Sequence, residues 1–138
     1  VGVKNDSFTL TNPNELTYLV KDTFQFQFPS VENKLYTYPN DELKGKVTIV
    51  QILGTWCPNC MDETRFYKEL YDKYHKKGLE IIGVAYEYPS DFENQAKRVK
   101  RHIEKMNIPY PILVGGKASK SQASEDFDML NKLISYRF

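Results

Sequence analysis

A chain of 138 residues suits one domain, long enough for a single core and too short for two. It is 41% hydrophobic and 27% charged, with nineteen Lys and Arg against eighteen Asp and Glu; the formal net charge of +1 gives no overall field toward nucleic acid or an anionic membrane. No apolar run reaches the ~18 residues needed to span a bilayer, and two cysteines are too few for a disulfide-stapled scaffold.

In chain order, residues 1–23 read as an extension of two short extended pieces around a turn at Asn12-Pro13-Asn14, and residues 24–138 as the domain proper. Phe24, Phe26 and Phe28 alternate with Gln25 and Gln27, which predicts one apolar strand face ended by Pro29. A turn at Glu32-Asn33-Lys34 and a returning strand over 35–38 complete a hairpin laid against the domain. Residues 41–46 are a polar connector with room for one helical turn. Residues 47–53 are nearly all apolar or β-branched, the pattern of a parallel strand covered on both faces, and are taken as the central strand.

Phe66, Leu70 and Tyr74, flanked by Tyr67 and Tyr71, predict a helix running from the cysteines to a stop at Gly78. Residues 79–86 form a second buried strand, and the strand, helix and strand imply a right-handed parallel crossover. Phe92, Ala96, Val99, Ile103 and Met106 mark the inner face of a second helix, with Lys97, Arg98, Lys100, Arg101 and Lys105 on a solvated exterior. Residues 111–114 predict a third strand suited to an edge, with Gly115-Gly116 opening a loop. Ala123, Phe127, Leu130 and Ile134 predict a last helix over 124–134, with Ser124 as its N-cap.

The chemistry concentrates in Thr55-Trp56-Cys57-Pro58-Asn59-Cys60-Met61-Asp62-Glu63, where the strand gives way to the helix. Thiol-disulfide exchange needs an attacking thiolate and a second thiol within reach of the mixed disulfide, and two intervening residues in a helical turn provide that reach. At the helix start, unpaired N–H groups and the positive end of the dipole stabilise an anionic sulfur on Cys57, and Pro58 suits the first helical position. Cys60, one turn further in, is the resolving thiol. A zinc site completed by His75 and His102 is the rival, but His75 falls some four turns along the helix that Cys57 begins. Both histidines are read as surface residues, and no metal or cofactor is expected.

Residues 50–60 resemble the strand and active-site turn of thioredoxin-like proteins, whose signature is a Trp followed by CxxC, and are most similar to the TlpA/ResA type of bacterial thiol-disulfide oxidoreductase, which is related to the AhpC/TSA-like group. The resemblance implies a thioredoxin-like α/β fold with a central, mostly parallel sheet flanked by helices and an N-terminal hairpin. In that group a Glu commonly stands three residues after the second Cys, and Glu63 matches it. A carboxylate there either shuttles a proton for Cys60 or raises thiol pKa by like-charge repulsion, the plainer alternative being a solvated helix-surface Glu. Trp56 caps the dithiol and, with Pro58 and Asn59, shapes the substrate-facing surface. Gln51 stands where thioredoxin has a buried Asp, and an amide cannot take a proton from Cys60. Peroxiredoxins share the architecture, but Thr55-Trp56-Cys57 lacks the Pro and Thr surroundings of their reactive Cys.

The family's fold continues past the last helix with a cis-Pro facing the dithiol, two antiparallel strands and a closing helix. Arg137 stands where that proline is expected, and the chain is read as lacking this C-terminal ββα part, which leaves an open edge on residues 47–53 that invites self-association. The expectation is a thiol-disulfide oxidoreductase, reducing protein disulfides or exchanging with an upstream reductase, in the periplasm or another extracytoplasmic compartment, with an anchor or signal segment removed before Val1. The alternative is a thioredoxin-like binding or assembly module with little redox turnover.

Overall fold

The computed structural model describes residues 24–119 and 121–127. The extension over 1–23, most of the helix read at 124–134, and Arg137 lie outside them. The described chain runs β1 (Phe26–Pro29), β2 (Leu35–Tyr38), a 3-10 turn at Asp41–Leu43, β3 (Val47–Leu53), α1 (Pro58–Tyr74), a 3-10 turn at His75–Lys77, β4 (Leu79–Glu87), α2 (Phe92–Met106), β5 (Ile112–Lys117) and α3 (Gln122–Asp126).

β1 and β2 form the antiparallel hairpin, with Phe26 and Phe28 buried and Gln25 and Gln27 exposed, as the alternation requires. Asn33 closes the turn at φ 59°, a conformation that Asn tolerates better than most residues. β3, β4 and β5 make a parallel sheet in that order. The strand expected at the centre, β3, therefore lies at one edge among the described residues, and β4 takes the middle. An apolar, β-branched run does not distinguish the two positions, but burial does. β4 is fully covered from Ile81 to Glu87, whereas β3 is half-buried along most of its length. β5 also extends through Gly115 and Gly116, which the sequence reading placed in a loop, because Tyr86 pairs with Gly116 and Glu87 with Lys117 across a register shift.

Alternation along β4 divides the core in two. Ile81 and Ala85 pack with Leu53, Ala96, Val99, Ile112 and Val114 beneath α1 and α2. Ile82, Val84 and Tyr86 pack with Phe26, Phe28, Leu43, Leu113 and Phe127 beneath the hairpin. α1 turns inward a different stripe from the one expected: Cys60, Tyr67 and Tyr71 meet the core and Thr64 is fully buried, while Phe66 is 56% exposed. Two aromatic stripes one residue apart both step by four, and the strand-to-helix turn selects the one that continues Cys60. Gly78, at φ 98°, ends the following 3-10 turn in the left-handed conformation that favours glycine. α2 begins at Asp91, whose carboxylate accepts from the Asn94 N–H, and ends at Asn107 with φ 49°. α3 starts at Gln122, so Ser124 lies inside it and is not its N-cap; the Ser119 hydroxyl accepts from the Gln122 N–H. Tyr86 donates to Asp126 at 2.8 Å, fixing α3 to the sheet.

Candidate active site

The site forms where β3 ends. Leu53 leads into a turn closed by the Cys57 N–H donating to the Gly54 carbonyl at 3.0 Å, and α1 begins at once with Pro58. Cys57 occupies the N-cap position with extended backbone (φ −94°, ψ 114°), and no side chain caps this helix start. The first-turn N–H groups thus remain available to an anionic sulfur. Both cysteines are free thiols and half-buried.

Their environments differ. Burial pushes the Cys60 thiol up to about 11, helped by its hydrogen bond to Cys57 and, least, by the Glu63 charge. Cys60 is therefore protonated at neutral pH, while Cys57 sits at the helix start. That is the division expected of a resolving and an attacking sulfur.

Glu63 stands one turn beyond Cys60 with its carboxylate held from two sides. The buried Gln51 amide donates to Oε2 at 2.9 Å, and the Tyr67 hydroxyl donates to Oε1 at 3.0 Å. The same amide reaches the Thr64 hydroxyl at 3.2 Å, and that hydroxyl donates to the Cys60 carbonyl at 2.7 Å. Gln51 thus takes no proton itself but positions a carboxylate that can. A buried Gln inside an otherwise apolar strand was its signal in the sequence.

Trp56 is 43% exposed, its indole N–H donates to the Tyr86 carbonyl at 2.9 Å, and its ring lies 4.8 Å from that of Tyr88, itself 58% exposed. With the exposed Pro58 and Asn59, these rings form an aromatic ledge beside the dithiol. The indole lies so close to Gly54 that a Cβ there would fall 2.4 Å from its Nε1, so the turn requires glycine.

Two residues escaped the sequence reading. Glu87, fully buried at the end of β4, accepts from the Thr55 N–H and from the Thr55 hydroxyl, both at 2.8 Å, and so anchors the turn before Cys57. An acidic residue closing an apolar strand was the available signal. His102, expected at the surface, is buried at 6% exposure. Its position three residues after Val99 and four before Met106 sets it beside the apolar face of α2. His75 does lie on the surface, stacked on Tyr71 at 4.3 Å.

A parallel sheet with α1 and α2 on one face and a hairpin on the other, bearing a dithiol at a strand-to-helix turn, defines a thioredoxin-like domain. The chain belongs to the Redoxin family, whose model matches residues 19–136. It is 33% identical over 73 residues to the thiol-disulfide oxidoreductase ResA of Bacillus cereus, a match covering 53% of this chain and 39% of that protein. The chain therefore spans well under half the length of the curated relatives it matches. Among solved structures it resembles a thiol:disulfide interchange protein from Chlorobium tepidum, with TM-score 0.53 and 26% identity over 71% of this chain and 60% of that one. It also shares the fold of a secreted Mycobacterium tuberculosis disulfide oxidoreductase, with TM-score 0.52 and 17% identity over 67% and 62% of the two chains.

Proposed function

We propose that the protein is a thiol-disulfide oxidoreductase that reduces protein disulfides in an extracytoplasmic compartment. The observation that carries this reading is the asymmetry of the pair: Cys57 at an uncapped helix start, and Cys60, one turn further in, held protonated. The Cys57 thiolate attacks one sulfur of the substrate disulfide; that bond breaks, and the other substrate sulfur leaves as a thiolate and takes a proton. Cys60 then gives up its proton and attacks the Cys57 sulfur, releasing the second substrate thiolate and closing a Cys57–Cys60 disulfide. Two electrons pass to the substrate, and an upstream dithiol restores the pair. Trp56, Pro58 and Asn59 face the substrate. β3, unpaired along one side among the described residues, is where a further strand would add, from this chain or a second copy. The test is release of free thiols from a disulfide-bonded protein by the reduced chain. A rate no higher than that of an equal amount of a free dithiol overturns the reading.

Glu63 is the proton acceptor for Cys60 in this scheme. Two effects oppose each other there, since the carboxylate also raises the thiol pKa by repulsion, but that is the weakest contribution beside burial. Losing the base therefore outweighs losing the charge. Glu63→Gln is expected to slow the resolving step at pH 7 by about ten- to a hundredfold. The deficit should shrink as pH rises into the alkaline range, where Cys60, its pKa raised chiefly by burial, ionises without help. Stopped-flow release of the second substrate thiol across pH 6–11 measures this, and an unchanged or faster step at pH 7 leaves Glu63 only a repulsive role.

A further inference from the structure

The basic face of α2 is not a uniformly solvated exterior. Lys97, Arg98, Arg101 and Lys105 line one side of a cleft of about 520 Å³ whose other walls include Thr55, Met61 and Pro89. That volume falls within the range of ~300–1,000 Å³ typical of ligand pockets. Thr55 and Met61 flank the dithiol in sequence, two residues before Cys57 and one after Cys60, so the cleft is walled in part by the segment that carries the cysteines. None of the four cations pairs with a carboxylate among the described residues, whose ion pairs join Lys46 to Glu80, Arg65 to Asp62 and His75 to Glu80. His102 also lines the cleft, and its Nε2 is buried with no hydrogen-bond partner among the described residues. Orphaned buried polar atoms are rare in folded proteins and call for a partner.

We propose that this cleft docks the carboxylate side chains of an acidic polypeptide segment adjoining the disulfide on which Cys57 acts. The proposal rests on the exchange chemistry set out above. Arg98 and Arg101 present planar, two-pronged donors suited to carboxylates, and Lys97 and Lys105 supply further positive charge around them. Burial, then the neighbouring Lys105, lowers the His102 pKa, so the ring is neutral and adds no charge of its own to the site. The protein as a whole carries a net charge of only +1, so a preference for acidic partners must come from this local arrangement. The concave site, walled by the CxxC turn, favours a short segment of the polypeptide substrate over an extended polyanion, which would need a continuous basic surface.

The experiment compares three disulfide-bonded peptides that differ only in having Glu, Gln or Lys on both flanks of the disulfide. With the full chain at low ionic strength, kcat/KM is expected to be about tenfold higher for the Glu-flanked than for the Gln-flanked peptide and lowest for the Lys-flanked one, with the spread narrowing as salt is added. The double variant Arg98→Gln/Arg101→Gln should bring the Glu-to-Gln ratio close to one. Lys100→Gln removes a charge from the same helix but away from the cleft, and should leave the ratio as it was. Equal rates for the Glu and Gln peptides overturn the proposal, as does a preference that survives the double variant. A preference lost equally in Lys100→Gln also overturns it, because the effect would then belong to the helix field and not to the cleft. If none of the peptides is reduced, the exchange reading fails. Calorimetric binding of cysteine-free versions then decides docking by itself, tighter binding of the Glu peptide supporting it and equal binding overturning it.

Discussion

Cys57→Ser is expected to lose protein-disulfide reduction by at least about a thousandfold, because a serine hydroxyl at neutral pH does not replace a thiolate as the attacking group. Cys60→Ala should behave differently. Its first step is intact, since Cys57 keeps its place at the helix start, but nothing then releases the substrate. A covalent complex should accumulate that survives a non-reducing gel and disappears on addition of reductant. The two variants together assign the roles. Adducts that form through Cys60 in Cys57→Ser would reverse the assignment, and failure of Cys60→Ala to trap any disulfide-bonded protein would leave the domain a docking module without exchange. The wild type should show little adduct, because the half-buried Cys60 thiol lies within hydrogen-bonding distance of Cys57 and is placed to resolve the complex.

The second large effect falls on stability. Glu87→Ala removes a fully buried side chain that satisfies two donors of Thr55 at 2.8 Å, and leaves a part-buried backbone N–H without that acceptor beside a new void. Each unmet buried group costs ~1–3 kcal/mol and the void adds to it, so a loss of about 2–4 kcal/mol is expected in urea unfolding. Glu87→Gln retains one acceptor and should lose less. Exchange activity should fall more steeply than stability accounts for, since Thr55 sets the turn that carries Trp56 and Cys57. A change below about 0.5 kcal/mol in Glu87→Ala would mean that Glu87 does not anchor the turn.

Much of this was legible in the chain. The alternation of Phe24, Phe26 and Phe28, the uninterrupted strands on either side of the first helix, and the 4,3 spacing from Phe92 to Met106 each report a local period, and local periods survive folding. What the sequence withheld depended on relations between elements. Whether residues 47–53 were central or peripheral depended on what pairs with them, and hydrophobicity is the same in both positions. The inward stripe of α1 was ambiguous because two aromatic stripes lie one residue apart. Glu63 was found through a resemblance, whereas its partners Gln51 and Tyr67 are sixteen residues apart and meet only when the strand and the helix pack. His102 and Glu87 were missed because polar residues are assigned to the surface by default, and the fold buried both.

Trp56 is the one tryptophan in the chain; it adjoins Cys57 in sequence, and its indole N–H donates to the Tyr86 carbonyl near the end of β4. All indole emission from this protein therefore originates within the active-site turn. Closing and opening the Cys57–Cys60 bond changes the sulfur chemistry one residue from that single indole, so the oxidation state of the pair is expected to be readable in its emission from unlabelled protein, through a full titration against a redox buffer.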